Sequence, residues 1–151
     1  MSASQAQQEY SLELKRTFAA PRDRVFRAWT DARYFGRWFY PSTHYKTVIT
    51  RLDLRAGGKY SLEMHHKEGN IHRLSGTYEE VRIPEKLVFT WRWENDDAST
   101  ETLVTVLFTD LGDSTEISIT HERFRSVATR DEHNKGWQGC LAQLETYLVS
   151  E

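Results

Sequence analysis

Cysteine, net charge and long hydrophobic runs are all scarce in this sequence, and each scarcity excludes a class of protein. A single cysteine among 151 residues excludes an intramolecular disulfide framework. The net charge is only −2, with acidic and basic residues interspersed, so we expect neither nucleic acid nor an anionic membrane surface as a partner. No apolar run approaches the roughly 18 residues of a membrane span, so we expect no membrane insertion.

The chain is long enough for one domain with a substantial core. Residues 1–9 are polar and lack the hydrophobic segment of a secretory signal, so we predict a disordered tail on a cytoplasmic protein. Residues 10–151 are predicted to form that single domain. Aromatic residues make up 13% of the chain, and the five tryptophans among them bring much apolar surface to the core.

A stripe of apolar residues near the C terminus predicts one long helix. Its members recur at spacings of four, three and four residues, which is the period of a single helical face. They are Trp137, Leu141, Leu144 and Leu148. Thr129 followed by Glu132 has the pattern of a capping box, so the helix is predicted over residues 129–149.

Most of the preceding chain alternates between apolar and polar residues, which is the period of a strand. A first strand is predicted at residues 10–18, followed by two short helices. One begins near Pro21, and the other is capped by Asp31 and ends before Pro41. Six further segments predict an antiparallel meander. They are residues 48–54, 59–66, 71–81, 87–93, 104–108 and 117–121, with a polar loop at 95–100. The predicted fold class is therefore α+β, a curved antiparallel sheet of about seven strands wrapped around the long helix.

Bulky side chains on the concave side of the predicted sheet, from the strands and from the helix, suggest a hollow. They are Tyr60, Met64, Phe89, Trp91, Trp93, Phe108 and Trp137. Large rigid rings pack poorly around one helix, and ligand sites are typically apolar concavities with a few fixed polar groups. Tyr60, His121 and His44 are candidates for those polar groups. The alternative is an aromatic core filled by its own side chains, because aromatic residues are core residues by default.

The predicted order of elements resembles the helix-grip fold of the SRPBCC superfamily, which includes START domains, polyketide cyclases and the birch-pollen allergen. Four stretches look like the activator-of-heat-shock-protein-90-ATPase-homologue branch of that superfamily. They read FAAPRDRVFRAWTDARYFGRWF, LDLRAGGKYSLEM, IPEKLVFTW and HNKGWQGCLAQLETYL. The most specific pieces are Gly57-Gly58 after Leu54-Arg55, and Gly136-Trp137 in the last helix. The likeness covers roughly residues 10–149.

The resemblance implies a small hydrophobic or aromatic ligand, held between the long helix and the sheet. Carried over by position, it points to a set of candidate ligand-binding residues. They are Trp38, Tyr60, Met64, Trp91, Trp93, His121 and Trp137. The name-giving members carry a further N-terminal domain and stimulate a chaperone ATPase. This chain has nine residues before its first predicted strand, so we expect a stand-alone, bacterial-type member.

Several polar residues are candidates for catalysis or metal binding. His121 at a strand end could orient a ligand or transfer a proton, or it could simply be a hydrogen-bonded core histidine. Cys140 has no histidine partner at readable spacing and is predicted to be a small core residue. His65 and His66 point to opposite faces of a strand, and although His65 could approach His72 on the outer face, no third metal ligand is evident. The side on which His72 and Arg73 lie depends on the hairpin loop and stays open.

The sequence thus predicts a binding domain that holds a small apolar or aromatic molecule in a closed hollow, with no cofactor, no metal and no assigned catalytic residue. The first alternative is a cyclase- or hydrolase-like enzyme that uses His121 or Tyr60 as proton carrier. The second is a module that contacts a chaperone or another protein through charges such as Arg33 and Arg37. A homodimer is left open.

Overall fold

The computed structural model describes residues 8–95 and 100–150. Residues 1–7 of the predicted tail and residues 96–99 of the predicted polar loop lie outside the described residues. Within the described residues the chain forms seven strands and three helices. They are β1 (Tyr10–Phe18), α1 (Arg22–Thr30), α2 (Ala32–Phe35), β2 (Tyr45–Leu52), β3 (Lys59–His66), β4 (Ile71–Arg82), β5 (Lys86–Trp93), β6 (Thr102–Asp110), β7 (Thr115–Phe124) and α3 (Val127–Ser150).

The seven strands form one curved antiparallel sheet in the order β1-β7-β6-β5-β4-β3-β2. Strands β2 to β7 follow one another as a meander, and β1 pairs with β7 to close the opposite edge. The long helix α3 packs on the concave face, and α1 and α2 lie between β1 and β2 in the chain. This is the α+β helix-grip arrangement, so the predicted fold class is confirmed.

Helix α3 buries the predicted stripe. Trp137, Leu141, Leu144 and Leu148 are each at most 5% exposed. The predicted start of the helix is wrong by two residues, since α3 begins at Val127. The capping side chain is Ser126, whose Oγ accepts a hydrogen bond from the backbone N–H of Thr129 at 3.1 Å.

The two short helices place aromatic rings against the inner face of the sheet. In α1 the apolar side includes Phe26 and Trp29, both buried. Helix α2 is capped by Asp31 as predicted, with the carboxylate accepting from the N–H of Arg33 at 2.9 Å. It ends at Phe35, earlier than predicted, and Trp38 is nevertheless fully buried in the turn that follows.

A glycine in β4 allows the sheet to hold a large ring on its inner face. A Cβ added at Gly76 would lie 1.9 Å from the backbone oxygen of Thr90 and 2.6 Å from Cε1 of Tyr60. The bare backbone therefore provides the space into which the Tyr60 ring fits. No helix of the described residues combines the length and the apolar character that crossing a membrane requires.

Candidate ligand cavity

A cavity of about 700 Å³ lies between the N-terminal half of α3 and the inner faces of β3, β4 and β5. The segment 39–45, which follows α2 and ends at the first residue of β2, forms a further wall. The cavity lies where the sequence predicts a hollow, between helix and sheet. The chain is therefore not solidly packed on this side of α3.

The floor of the cavity is apolar and largely aromatic. The ring of Trp91 lies 5.3 Å from that of Trp137 and 6.1 Å from that of Phe39, measured between centroids. Met64 and Cys140 complete the floor and are 5% and 4% exposed. Such a surface favours apolar or aromatic molecules, because burying it removes apolar area from water.

A close backbone contact holds one wall against the helix. A Cβ added at Gly139 would lie 2.1 Å from the carbonyl oxygen of Pro41. The glycine therefore lets the segment 39–45 lie directly on α3, which brings Phe39 and Tyr45 to the cavity.

The rim of the cavity is polar and meets solvent. Asn95, Thr129, Glu132 and Lys135 border it and are exposed. The prediction of a closed hollow is therefore wrong, since the cavity opens between the start of α3 and the end of β5. The opening connects solvent with the aromatic floor.

His133 fixes one side of the opening. Its Nε2 accepts a hydrogen bond from the indole N–H of Trp93 at 3.1 Å, and its Nδ1 lies 2.8 Å from the carbonyl oxygen of Thr129. Nδ1 must donate to that carbonyl, which assigns the neutral ring with its proton on Nδ1. Both ring nitrogens are thus used to hold Trp93 against the helix.

His121 lies behind the floor and does not line the cavity. Its side chain is fully buried, and its Nδ1 accepts from the indole N–H of Trp137 at 3.0 Å. Its Nε2 therefore carries the proton and donates to the hydroxyl of Thr102 at 2.7 Å. Burial, and secondarily the nearby His133, holds the pKa of His121 well below its ordinary value. His121 is a neutral residue that positions Trp137.

Tyr60 and Trp38 also lie away from the cavity. The hydroxyl of Tyr60 donates to the carbonyl oxygen of Thr90 at 2.6 Å, and burial is the main cause that raises its pKa well above the ordinary value. The indole N–H of Trp38 donates to the carbonyl oxygen of Ala28 at 2.8 Å. Around Tyr60 the interior leaves a void of only about 10 Å³. Around Tyr60 and Trp38 the interior is filled by side chains, as the alternative prediction stated.

Four of the seven predicted binding residues therefore come together on the cavity: Met64, Trp91, Trp93 and Trp137. The structure does not place Trp38, Tyr60 or His121 there, because all three point into packed regions beside it. The alternating pattern gives the face of a strand on which a side chain lies, but not which part of that face stays open.

The register of β3 and β4 shows on which face of the sheet His72 and Arg73 lie, which the sequence did not determine. His72 lies opposite Met64 and therefore shares the inner face with it, on the wall of the cavity. Arg73 lies opposite Glu63, and its Nε bonds the carboxylate of Glu63 at 3.0 Å on the outer face. His65 bonds the same carboxylate at 2.9 Å. His65 and His72 are thus on opposite faces and cannot share a metal ion.

Several cavity residues were missed in the sequence. Phe39 and Tyr45 reach the cavity only through the contact at Gly139, which no local pattern indicates. His133 lies four residues before Trp137, so it falls on the same helical face and could have been found from that spacing. Cys140 is on the floor, and burial raises its pKa, so the thiol stays protonated as expected of a core residue.

A family model described as activator of Hsp90 ATPase homolog 1-like protein matches residues 19–149. The chain belongs to this family. The predicted resemblance is confirmed, and the fold of the family is that of a ligand-binding type of domain. Comparison with curated proteins gives no match.

Solved structures of similar proteins show the same fold over nearly the whole chain. A protein from Chromobacterium violaceum is 28% identical, with a TM-score of 0.81, covering 90% of this chain and 94% of its own. One from Nitrosomonas europaea is 26% identical, with a TM-score of 0.75 and coverages of 93% and 94%. An AHSA1-like protein from Aeromonas hydrophila, at 23% identity, TM-score 0.78 and 93% coverage of both chains, shows the likeness of fold alone.

Proposed function

We propose that the protein binds a small hydrophobic or aromatic molecule in the cavity between the sheet and α3. The observation that carries the proposal is the aromatic floor of a hollow of about 700 Å³, which falls within the size range of sites for small ligands. Trp91, Trp137 and Phe39 offer ring faces and edges to an aromatic ligand. The polar rim accommodates a ligand group that stays in contact with water.

The enzyme alternative loses its predicted proton carriers. His121 and Tyr60 are both buried outside the cavity, and their polar atoms are engaged in hydrogen bonds within the protein. A general acid or base must come within hydrogen-bond reach of the group on which it acts. Neither side chain offers that reach to a molecule in the cavity.

The interaction-module alternative would depend on a separate groove outside the sheet. Arg33, Arg37 and Lys46 border this groove, which has a volume of about 470 Å³. The guanidinium of Arg33 is already paired with Asp31 at 2.7 Å, which reduces the positive charge available to an acidic partner. The proposed function therefore rests on the cavity and not on this groove.

A native mass spectrum of the purified protein provides the first test, since a retained ligand adds its mass to that of the chain. The second test uses 2-acetylnaphthalene as a probe and follows the quenching of tryptophan fluorescence. Three tryptophans line the cavity, so a ring bound there changes their emission. We expect saturable quenching with one site per chain.

Two matched variants on α3 locate that site. Gly136 borders the cavity, and a Cβ added there meets no atom within 4 Å, so Gly136→Phe places a ring at the opening. Gln138 lies two residues further on and is exposed, so Gln138→Phe adds the same ring outside the cavity. Binding should weaken at least about tenfold in Gly136→Phe and stay unchanged in Gln138→Phe. Equal affinity in the two variants would place the binding site elsewhere.

A further inference from the structure

An imidazole on the wall of the cavity makes no hydrogen bond to the part of the chain that the structure describes. His72 is half-buried on the inner face of β4, next to Met64, with its ring 6.0 Å from that of Tyr45 and 6.4 Å from that of Trp93. Neither of its ring nitrogens has a hydrogen-bond partner among the described residues. A half-buried polar ring without a partner on the wall of a hollow is available to a ligand.

The other two imidazoles near the cavity are already engaged. His133 uses Nε2 for Trp93 and Nδ1 for the carbonyl of Thr129. His121 uses both nitrogens behind the floor, for Trp137 and Thr102. A ligand that bonded to either ring would have to replace an existing hydrogen bond. His72 requires no such exchange.

The chemistry of His72 sets the class of ligand group that it recognises. An imidazole presents at least one N–H donor in either protonation state, whereas it presents an acceptor nitrogen only when neutral. Met64, Trp93 and Trp137 give the cavity beside His72 a largely apolar surface. A ligand group that accepts a hydrogen bond, such as a carbonyl or carboxylate oxygen, is therefore the best match.

We infer that His72 is the specificity-determining residue of the cavity, and that the ligand is an aromatic compound bearing an oxygen acceptor that takes a hydrogen bond from its imidazole. The inference rests on the proposed function and refines it. The aromatic part of the ligand lies on Trp91 and Trp137, and the oxygen faces the β4 wall.

The test compares two probes of nearly the same shape, 2-acetylnaphthalene and 2-isopropenylnaphthalene. The first carries a carbonyl oxygen where the second carries a methylene carbon. Water solvates the ketone better, so the ratio of the two dissociation constants in the unmodified protein is only a reference. The informative quantity is the change in this ratio when a side chain is altered, as in a double-mutant cycle.

Four variants show which side chain changes the ratio of the two dissociation constants. His72→Phe keeps a ring but removes both nitrogens, and His72→Gln restores an N–H donor. His65→Phe makes the same substitution on the outer face of β3, where it should not affect the ratio. Tyr45→Phe removes the neighbouring hydroxyl of the cavity wall. Circular dichroism and a thermal melt establish that each variant is folded.

We expect His72→Phe to shift the ratio against the ketone by about 2- to 10-fold, which corresponds to one hydrogen bond. His72→Gln should restore part of the preference, and His65→Phe should leave the ratio unchanged. A ratio that is unaltered in His72→Phe, or lost in Tyr45→Phe instead, overturns the assignment of His72 while both probes still bind. Failure of both probes to bind the unmodified protein overturns the cavity as an aromatic site, which is a different result.

Discussion

Replacing Trp137 with alanine should remove the largest single contribution to packing between α3 and the rest of the domain. The indole is 2% exposed and its ring lies 5.9 Å from Trp29, 5.8 Å from Phe39 and 5.3 Å from Trp91. It therefore touches α1, the segment after α2, and β5 at once. The substitution leaves these three contacts without a partner on the helix.

The expected decrease in the free energy of unfolding has two causes. Truncating a buried tryptophan costs about 3–5 kcal/mol. The Nδ1 of His121 also loses the indole N–H that it accepts at 3.0 Å, and an unsatisfied buried acceptor costs about 1–3 kcal/mol of that total. We therefore expect the free energy of unfolding to fall by about 3–5 kcal/mol, and the melting temperature by about 6–20 °C.

Urea unfolding followed by circular dichroism measures the change, with two variants as references. Trp137→Phe keeps a ring in the cluster but leaves His121 unsatisfied, so it should cost about 1–3 kcal/mol. Val149→Ala lies on the same helix at a position 80% exposed and should change stability by less than about 0.5 kcal/mol. If Trp137→Ala costs no more than Val149→Ala, the indole does not join the helix to the sheet and the packing argument is refuted.

Three further predictions follow from buried groups near the cavity. Because burial keeps His121 neutral in the folded protein while the unfolded chain takes up a proton, the free energy of unfolding should fall as the pH drops below 6.5. The slope should be at most about 1.4 kcal/mol per pH unit, and urea titrations should find a smaller slope in His121→Asn. The raised pKa of Cys140 predicts that iodoacetamide modifies it at least about tenfold faster in urea than in the folded protein, and mass spectrometry measures this; equal rates would contradict its burial. Gly76→Ala should cost more than about 3 kcal/mol because its Cβ meets the Thr90 oxygen, whereas Gly136→Ala, with no atom within 4 Å, should stabilise by up to about 1 kcal/mol. Similar melting temperatures for the two alanine variants would argue against the close approach at Gly76.

Local periodicity in the sequence was sufficient to predict most of the fold. The alternation in β3 placed Tyr60, Leu62 and Met64 on one face, and all three are buried there. The helical spacing of Trp137 and Leu141 likewise placed both on the buried side of α3. These predictions succeeded because the face of a side chain depends on its own strand or helix and on little else.

The outline of the cavity could be predicted only in part, because it depends on contacts between distant segments. The side of His72 follows from its pairing with Met64. The length of the hairpin loop sets this pairing, and the sequence did not reveal that length. Tyr45 reaches the cavity because the backbone of Pro41 rests on Gly139 of α3, a contact between residues far apart in sequence. Tyr60 and His121 point inward as predicted, yet neighbouring rings and hydroxyl groups fill the space in front of them.

The interior is divided along its length into a packed half beside α1 and an open half beside the start of α3. The residues that set the stability of the domain are therefore mostly different from the residues that line its cavity. Wall positions such as Met64 and His72 can diverge while the block around Trp29 and Trp38 is preserved. A few exchanges on the wall would thus reshape the cavity without disturbing the packed half, which gives a protein engineer a route to altering its shape and chemistry.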